Sequence, residues 1–248
     1  MPAAPVSPQT LGVLAFGDSI TNGGGELQWG VALQSWALWT ARGLGLPYSG
    51  YAVDGARVAD VLAVQIPRYE RATPHPHARY DVGCLYIGVN DVRALDFDLA
   101  AFTRDFAAAL AFLTPRCERT LTLTVPLDLG RPRAGAKVAA LNAAIERVAA
   151  EHGALVVDLS EFRARNHVMT DHVHPTAFGQ IAIAERALSL LARDGMRVAM
   201  APHELIVYEV TRRGRLREDL TYCYRHAKVS LRALGLALGA WRWRRFWE

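Results

Sequence analysis

Cysteine is scarce in this 248-residue chain: Cys84, Cys117 and Cys223 are odd in number and lie far apart. That excludes a disulfide framework and a CxxC metal site. Cys84 sits inside an apolar run, "DVGCLYIG" (81–88), the setting of a buried structural thiol. No apolar run that early in the chain reaches the length of a membrane span, and "MPAAPVSPQT" carries no basic segment ahead of an apolar one. From these absences we expect a cytoplasmic protein without a signal peptide. Internal repeats and disorder-like windows are also missing. Excess charge is missing from most of the chain. Residues 1–196 hold 17 Lys and Arg against 19 Asp and Glu, a net −2, whereas residues 197–248 hold 11 against 5, a net +6. A near-neutral body excludes a nucleic-acid footprint spread over the whole protein.

What is present is apolar patterning. Hydrophobic residues make up 51% of the chain, enough for one sizeable core. Strand-like runs occur at "LGVLAF" (11–16), "YSGYAV" (48–53), 81–88, "RTLTLTVP" (119–126) and "GALVVDL" (153–159). Helical periodicity fills the gaps at 27–45, 58–66 (ended by Pro67), 98–113, 136–152 and 176–195. Strands separated by helices predict βαβ units. The expected fold is a three-layer α/β/α sandwich, flavodoxin-like, around a central, mostly parallel five-stranded sheet. We divide the chain into an α/β domain at 1–196 and a basic, Trp- and Arg-rich helical extension at 197–248.

Ligands of such sheets bind beyond the carboxyl ends of the strands. Four polar clusters follow strand ends or precede the last body helix: Gly17-Asp18-Ser19, "VDGAR" with Gly55, "GVND" with Asn90 and Asp91, and "TDHVHPTAFG" with Asp171, His172 and His174. By itself Ser19 reads equally as a helix cap or as a nucleophile. A nucleophilic serine needs a base, and the base needs an orienting acceptor. His174 can be that base, and Asp171, three residues earlier in a turn, can hold the other ring N–H. Donors for an oxyanion can come from the Ser19 N–H, the Gly55 N–H and the Asn90 amide. Glycine at 55 permits close approach of backbone to substrate.

These four blocks, "GDSIT" at 17–21, Gly55 in "AVDGARVADVL", "GVND" at 88–91 and "DHVHP" at 171–175, resemble the SGNH hydrolases, also called GDSL-type esterases and lipases. The resemblance covers residues 11–195. It implies an α/β/α fold and hydrolysis of acyl esters through an acyl-serine intermediate. By position it makes Ser19 the nucleophile, His174 the base, Asp171 its orienting acid, and Ser19, Gly55 and Asn90 the oxyanion hole. Two positions depart from the pattern. Ile20 replaces the more familiar leucine, and Asp54 precedes Gly55 where small uncharged residues are commoner. A carboxylate there would repel an anionic intermediate unless Arg57 or another donor pairs with it.

Other chemistries find less support. G-x-S-x-G does not occur around Ser19, which excludes the nucleophile elbow of α/β-hydrolases. "GDSITNGGG" lacks the Lys-Ser/Thr ending of a phosphate loop. His172 with His174, and His75 with His77, form H-x-H pairs without a third ligand, so no metal and no cofactor are expected. Asp18 is expected to brace the serine loop and Asp91 to cap the segment after it. The expected partner is a small-molecule ester, with no nucleic acid. In the extension, Leu216, Leu220, Cys223, Ala227, Leu231, Leu234, Leu238 and Trp241 follow helical spacing among arginines. That helix is suited to self-association or to contact with a membrane surface. Two alternatives to the esterase are an acyltransferase on the same site and a catalytically weak module that binds a sugar or acyl group.

Overall fold

The computed structural model describes residues 10–25, 31, 33–73, 78–129, 134–164, 166–206 and, beyond these, 211–214, 216–217, 219–224, 227–228 and 231. In chain order the elements are β1 (Val13–Gly17), α1 (Ser19–Asn22), α2 (Trp36–Leu44), β2 (Tyr48–Gly50), α3 (Val58–Asp60), a π-helical stretch (Val61–Gln65), α4 (Ile66–Ala72), β3 (Tyr80–Tyr86), α5 (Val89–Arg93) and α6 (Leu99–Leu113). There follow β4 (Cys117–Leu123), α7 (Gly135–Glu151), β5 (Leu155–Val157) and α8 (Ala177–Arg193).

The five strands form one sheet in the order β2-β1-β3-β4-β5, every pairing parallel. This is the flavodoxin-type order, and it reverses between β1 and β3. The expected sandwich is therefore observed. α2 and α8 pack together on one face, while the π-helical stretch, α6 and α7 form the layer on the other. Because both faces are covered, β1 buries all five of its residues and Cys84 in β3 is wholly buried. That accounts for apolar runs that do not alternate. α6 follows the same logic: Asp98 caps it by accepting from the Ala100 and Ala101 N–H groups, and Phe102, Phe106, Leu110 and Leu113 are buried.

Two helices differ from expectation. The helix expected over 27–45 begins only at Trp36, because Ser35 Oγ caps it at the Leu38 N–H and Gln180 Oε1 takes the Trp36 N–H at 2.7 Å. Residues 26–30 and 32 lie outside the described residues. The helix expected over 58–66 is not stopped by Pro67. It widens into the π-helical stretch, with the Ile66 N–H donating to the Val61 carbonyl, and continues to Ala72 with Pro67 near the start of α4. A proline has no N–H and crowds the carbonyl four residues back, and the wide turn just before it relieves both conflicts.

Part of the extension packs on the body. The Ala199 and Met200 N–H groups donate to the Gly43 carbonyl at the end of α2, and Val198 and Ile206 lie against the core. Described residues between 212 and 231 are helical, and 232–248 lie outside the described residues. Among the described residues no helix is long and apolar enough to cross a membrane.

Candidate active site

β1 and β3 are in register from Val13 with Val82 to Gly17 with Tyr86, so both strands end at one level. The chain leaves β1 into Asp18-Ser19 and leaves β3 towards Asn90. The strand order reverses here, so the two exits diverge and leave a crevice at the carboxyl edge. Asp18 makes the turn possible: its side chain accepts the Ile20 N–H at 2.9 Å and starts α1, whose first residue is Ser19.

Two buried glutamines hold this loop, and neither was singled out from the sequence. Gln65, at the end of the π-helical stretch, accepts the Gly17 N–H at 3.0 Å and donates to the Gly17 carbonyl at 2.8 Å. Gln180 on α8 donates to the carbonyls of Ile20 and Gly24 at 3.0 and 3.2 Å. Both are 0% exposed. Each is a lone amide on an otherwise apolar helix face, as in "AVQIP" and "FGQIAIA". That was the available signal, since a buried amide must find partners. Trp36 Nε1 adds a bond to Thr21 Oγ1 at 3.2 Å.

The fourth cluster arrives in a tight turn ahead of α8. Asp171 Oδ1 accepts the backbone N–H groups of Val173 and His174 at 2.9 and 3.0 Å, and Oδ2 lies 2.7 Å from His174 Nδ1. His172 takes the left-handed conformation, φ 59°, to close this turn. It is the one non-glycine residue with positive φ among those described. Met169 N–H donates to the His174 carbonyl, Val168 and Pro175 form an antiparallel bridge, and Thr176 caps α8. The ring is thereby aimed at α1, and His174 Nε2 lies 2.9 Å from Ser19 Oγ.

The electrostatics fix the direction of the relay. The Asp171 hydrogen bond raises the His174 pKa above its ordinary value, against the opposing effect of burial. Burial acts upward on Asp171, but bonds from the His174 ring and from two backbone N–H groups carry its carboxyl below the usual range. An ionised Asp171 at Nδ1 requires the proton there, which leaves Nε2 as an acceptor for the Ser19 hydroxyl. The arrangement can take a proton from the serine. Beneath it, burial pushes the Asp18 carboxyl up to about 7. Its Oδ2 is buried without a hydrogen-bond partner.

Gly55 and Asn90 follow β2 and β3 at the same carboxyl edge, and the Val53 N–H of the Gly55 turn donates to the Gly17 carbonyl at 3.1 Å. Gly55 occupies the left-handed position of a turn closed by Ala56 N–H to the Val53 carbonyl, with φ 75°, and is exposed. Asn90 is half-buried and spends one amide hydrogen on the Ala56 carbonyl at 3.0 Å. That bond ties the two together, and the amide has a second hydrogen. Asp91 corrects an expectation. It caps α3, accepting the Val58 N–H at 3.1 Å, rather than the segment that follows it. Burial raises its carboxyl to about 6. Arg57 likewise does not pair with Asp54. Asn22 Nδ2 donates to Asp54 Oδ1 at 2.9 Å, and Arg57 Nη1 contacts both Asp96 oxygens at 3.1 Å. Asp54 is exposed, so water screens its charge. Among the described residues no group of three or more metal-ligating side chains forms. His172 lies 3.9 Å from Asp128, and the His75–His77 pair falls outside the described residues.

A parallel sheet with a serine, a histidine and an aspartate in hydrogen-bonded series at its switch point points to the ester hydrolases as a class. The sequence makes this particular. It matches the GDSL-like Lipase/Acylhydrolase family over residues 15–181, about two thirds of the chain. The protein belongs to that family and is a carboxylic ester hydrolase. No curated protein matches it. Among solved structures, an alpha/beta hydrolase enzyme from the metagenome of Lake Arreo, Spain, is 21% identical with a TM-score of 0.57, covering 73% of this chain and 94% of its own. An acetylxylan esterase from Geobacillus stearothermophilus is 20% identical with a TM-score of 0.56, covering 74% of this chain and 96% of its own. Three further structures of that esterase are described as catalytic mutants. They replace a serine, an aspartate or a histidine by alanine, the last two lying three positions apart.

Proposed function

We propose that the protein hydrolyses carboxylic esters through an acyl-enzyme formed on Ser19. In this reading Ser19 Oγ attacks the ester carbonyl while His174 Nε2 takes its proton. Asp171 stabilises the imidazolium through Nδ1. The tetrahedral oxyanion is held by the Ser19 N–H, the Gly55 N–H and the remaining Asn90 amide hydrogen. His174 then returns the proton to the departing alcohol and activates water to release the acid.

The observation that carries the reading is the unbroken series from Ser19 Oγ to His174 at 2.9 Å and on to Asp171 at 2.7 Å. A helix cap has no need of an imidazole on its hydroxyl. The three-residue spacing of aspartate and histidine also agrees with the catalytic mutants of the Geobacillus esterase. Acetylated xylo-oligosaccharides are therefore the first natural esters to test.

The test is hydrolysis of p-nitrophenyl acetate, butyrate and octanoate by the wild type and by Ser19→Ala, with fluorophosphonate labelling of both. Wild-type turnover and labelling, both lost in the variant, are expected. A folded wild type that neither turns over nor labels would count for a binding module. Diversion of product from acid to ester by an added alcohol would mark an acyltransferase.

A further inference from the structure

The extension carries a surface that the esterase reading does not use. Described residues from 212 to 231 are helical. At 100° per residue, Leu216, Leu220, Cys223, Tyr224, Ala227 and Leu231 fall within an arc of about 100°. This stripe faces outward: Leu216, Leu220, Tyr224 and Leu231 are 61, 63, 67 and 67% exposed. An amphipathic helix of a soluble domain turns such a stripe to the core. Here Arg213 falls within the arc itself, Arg212 and Asp219 border the stripe on one side, and Arg217 and Lys228 border it on the other, all five exposed, a net basic border.

Charge decides between the surfaces that could cover it. Residues 197–248 carry eleven Lys and Arg against five Asp and Glu. Pairing two such helices from two copies would bring like charges together along the seam. A nucleic acid would meet the arginines but would leave the leucines in water. An anionic bilayer satisfies both: leucines enter the acyl boundary while the basic borders reach the headgroup phosphates. The residues that follow in sequence include Trp241, Trp243 and Trp247 among Arg242, Arg244 and Arg245, a composition suited to the headgroup layer.

We propose that the described helical residues between 212 and 231 dock the protein on anionic lipid bilayers, lying in the headgroup plane with Leu216, Leu220 and Leu231 inserted. The proposal is independent of the acyl-enzyme reading.

The test is sedimentation of the full chain with vesicles of phosphatidylcholine alone or mixed with phosphatidylglycerol. Binding to the mixed vesicles is expected, at least about tenfold weaker on phosphatidylcholine alone, and weakened by salt. Leu216→Glu/Leu220→Glu/Leu231→Glu is expected to abolish it, and Arg217→Ala to weaken it about fivefold. Hydrolysis of a water-soluble ester is read in the same preparations and stays at the wild-type rate, reporting that each variant is folded. No binding to mixed vesicles at low ionic strength overturns the proposal. So does binding that survives the triple substitution, which is the behaviour of a purely electrostatic, nucleic-acid-like surface. A lipid-free dimer that the triple substitution dissolves, without vesicle binding, assigns the stripe to a second copy instead.

Discussion

Replacing Gln65 with leucine removes two hydrogen bonds from the backbone that carries Ser19, while leaving the side-chain volume nearly unchanged. Gln65 is fully buried, so water cannot take over from the lost amide. The Gly17 N–H is then orphaned, at a cost of about 1–3 kcal/mol. The Gly17 carbonyl keeps the Val53 N–H at 3.1 Å. Its loss is therefore one ordinary hydrogen bond, about 1 kcal/mol. Together these give a destabilisation of about 2–4 kcal/mol, large for a single substitution. Gly17 lies two residues before Ser19, so relaxation of the strand end also moves the serine relative to His174. A displacement near 1 Å costs on the order of 10²-fold in rate. Urea unfolding reads the first effect as a lower midpoint at unchanged slope. The kcat for p-nitrophenyl acetate reads the second. Gln65→Glu is the companion variant. Neutral glutamate keeps one acceptor and one donor for Gly17, and the ionised form loses the donor, so its stability is expected to fall with rising pH towards that of the leucine variant. A leucine variant with the wild-type midpoint and the wild-type kcat would refute the reasoning.

Three further outcomes follow from the same geometry. If Asn90 is an oxyanion donor as proposed, Asn90→Ala is expected to lower kcat on the order of 10²–10³-fold with little change in KM, measured on the same ester. On the proposed mechanism catalysis needs His174 neutral, so kcat/KM is expected to rise with pH through a pKa above the ordinary histidine value. Asp171→Asn removes the group that raises it, so the acid limb moves to lower pH while the plateau drops, as a pH–rate profile reads directly. Asp18 has its pKa raised to about 7, so between its ordinary value and 7 the folded state holds a proton that the unfolded state has lost. Stability contributed by this group falls with rising pH across that window. Asp18→Asn keeps the cap and removes that slope, so chemical denaturation at pH 4 and pH 8 is expected to show a smaller difference in the variant than in the wild type.

Much of the architecture was legible because its causes are local or periodic. The uninterrupted apolar runs of β1 and β3 report strands covered on both faces. The spacing of Phe102, Phe106, Leu110 and Leu113 reports the buried face of α6. Boundaries were less legible, because some are set by distant groups. α2 starts at Trp36 where Gln180, 144 residues away in sequence, takes its N–H. Pro67 is an ordinary helix stop in a simple local reading, and the π-helical turn before it carries the chain past that stop, while its last residue, Gln65, bonds to Gly17, 48 residues away in sequence.

The sequence by itself determined the candidate chemistry. Serine, glycine and asparagine stand in three blocks after the first three strands, and histidine in a fourth block ahead of the last body helix. Asp171 and His174 stand three residues apart, so their bond is a property of one turn and needs no other part of the chain. Tertiary structure alone decided that the His174 ring meets Ser19 across 155 residues, that Asn90 is tied to the Gly55 turn, and that two buried amides grip the serine loop. It also decided the protonation of Asp18, since a carboxyl's affinity for its proton depends on the water around it. Burial is the sum of many distant contacts, and no stretch of sequence contains it.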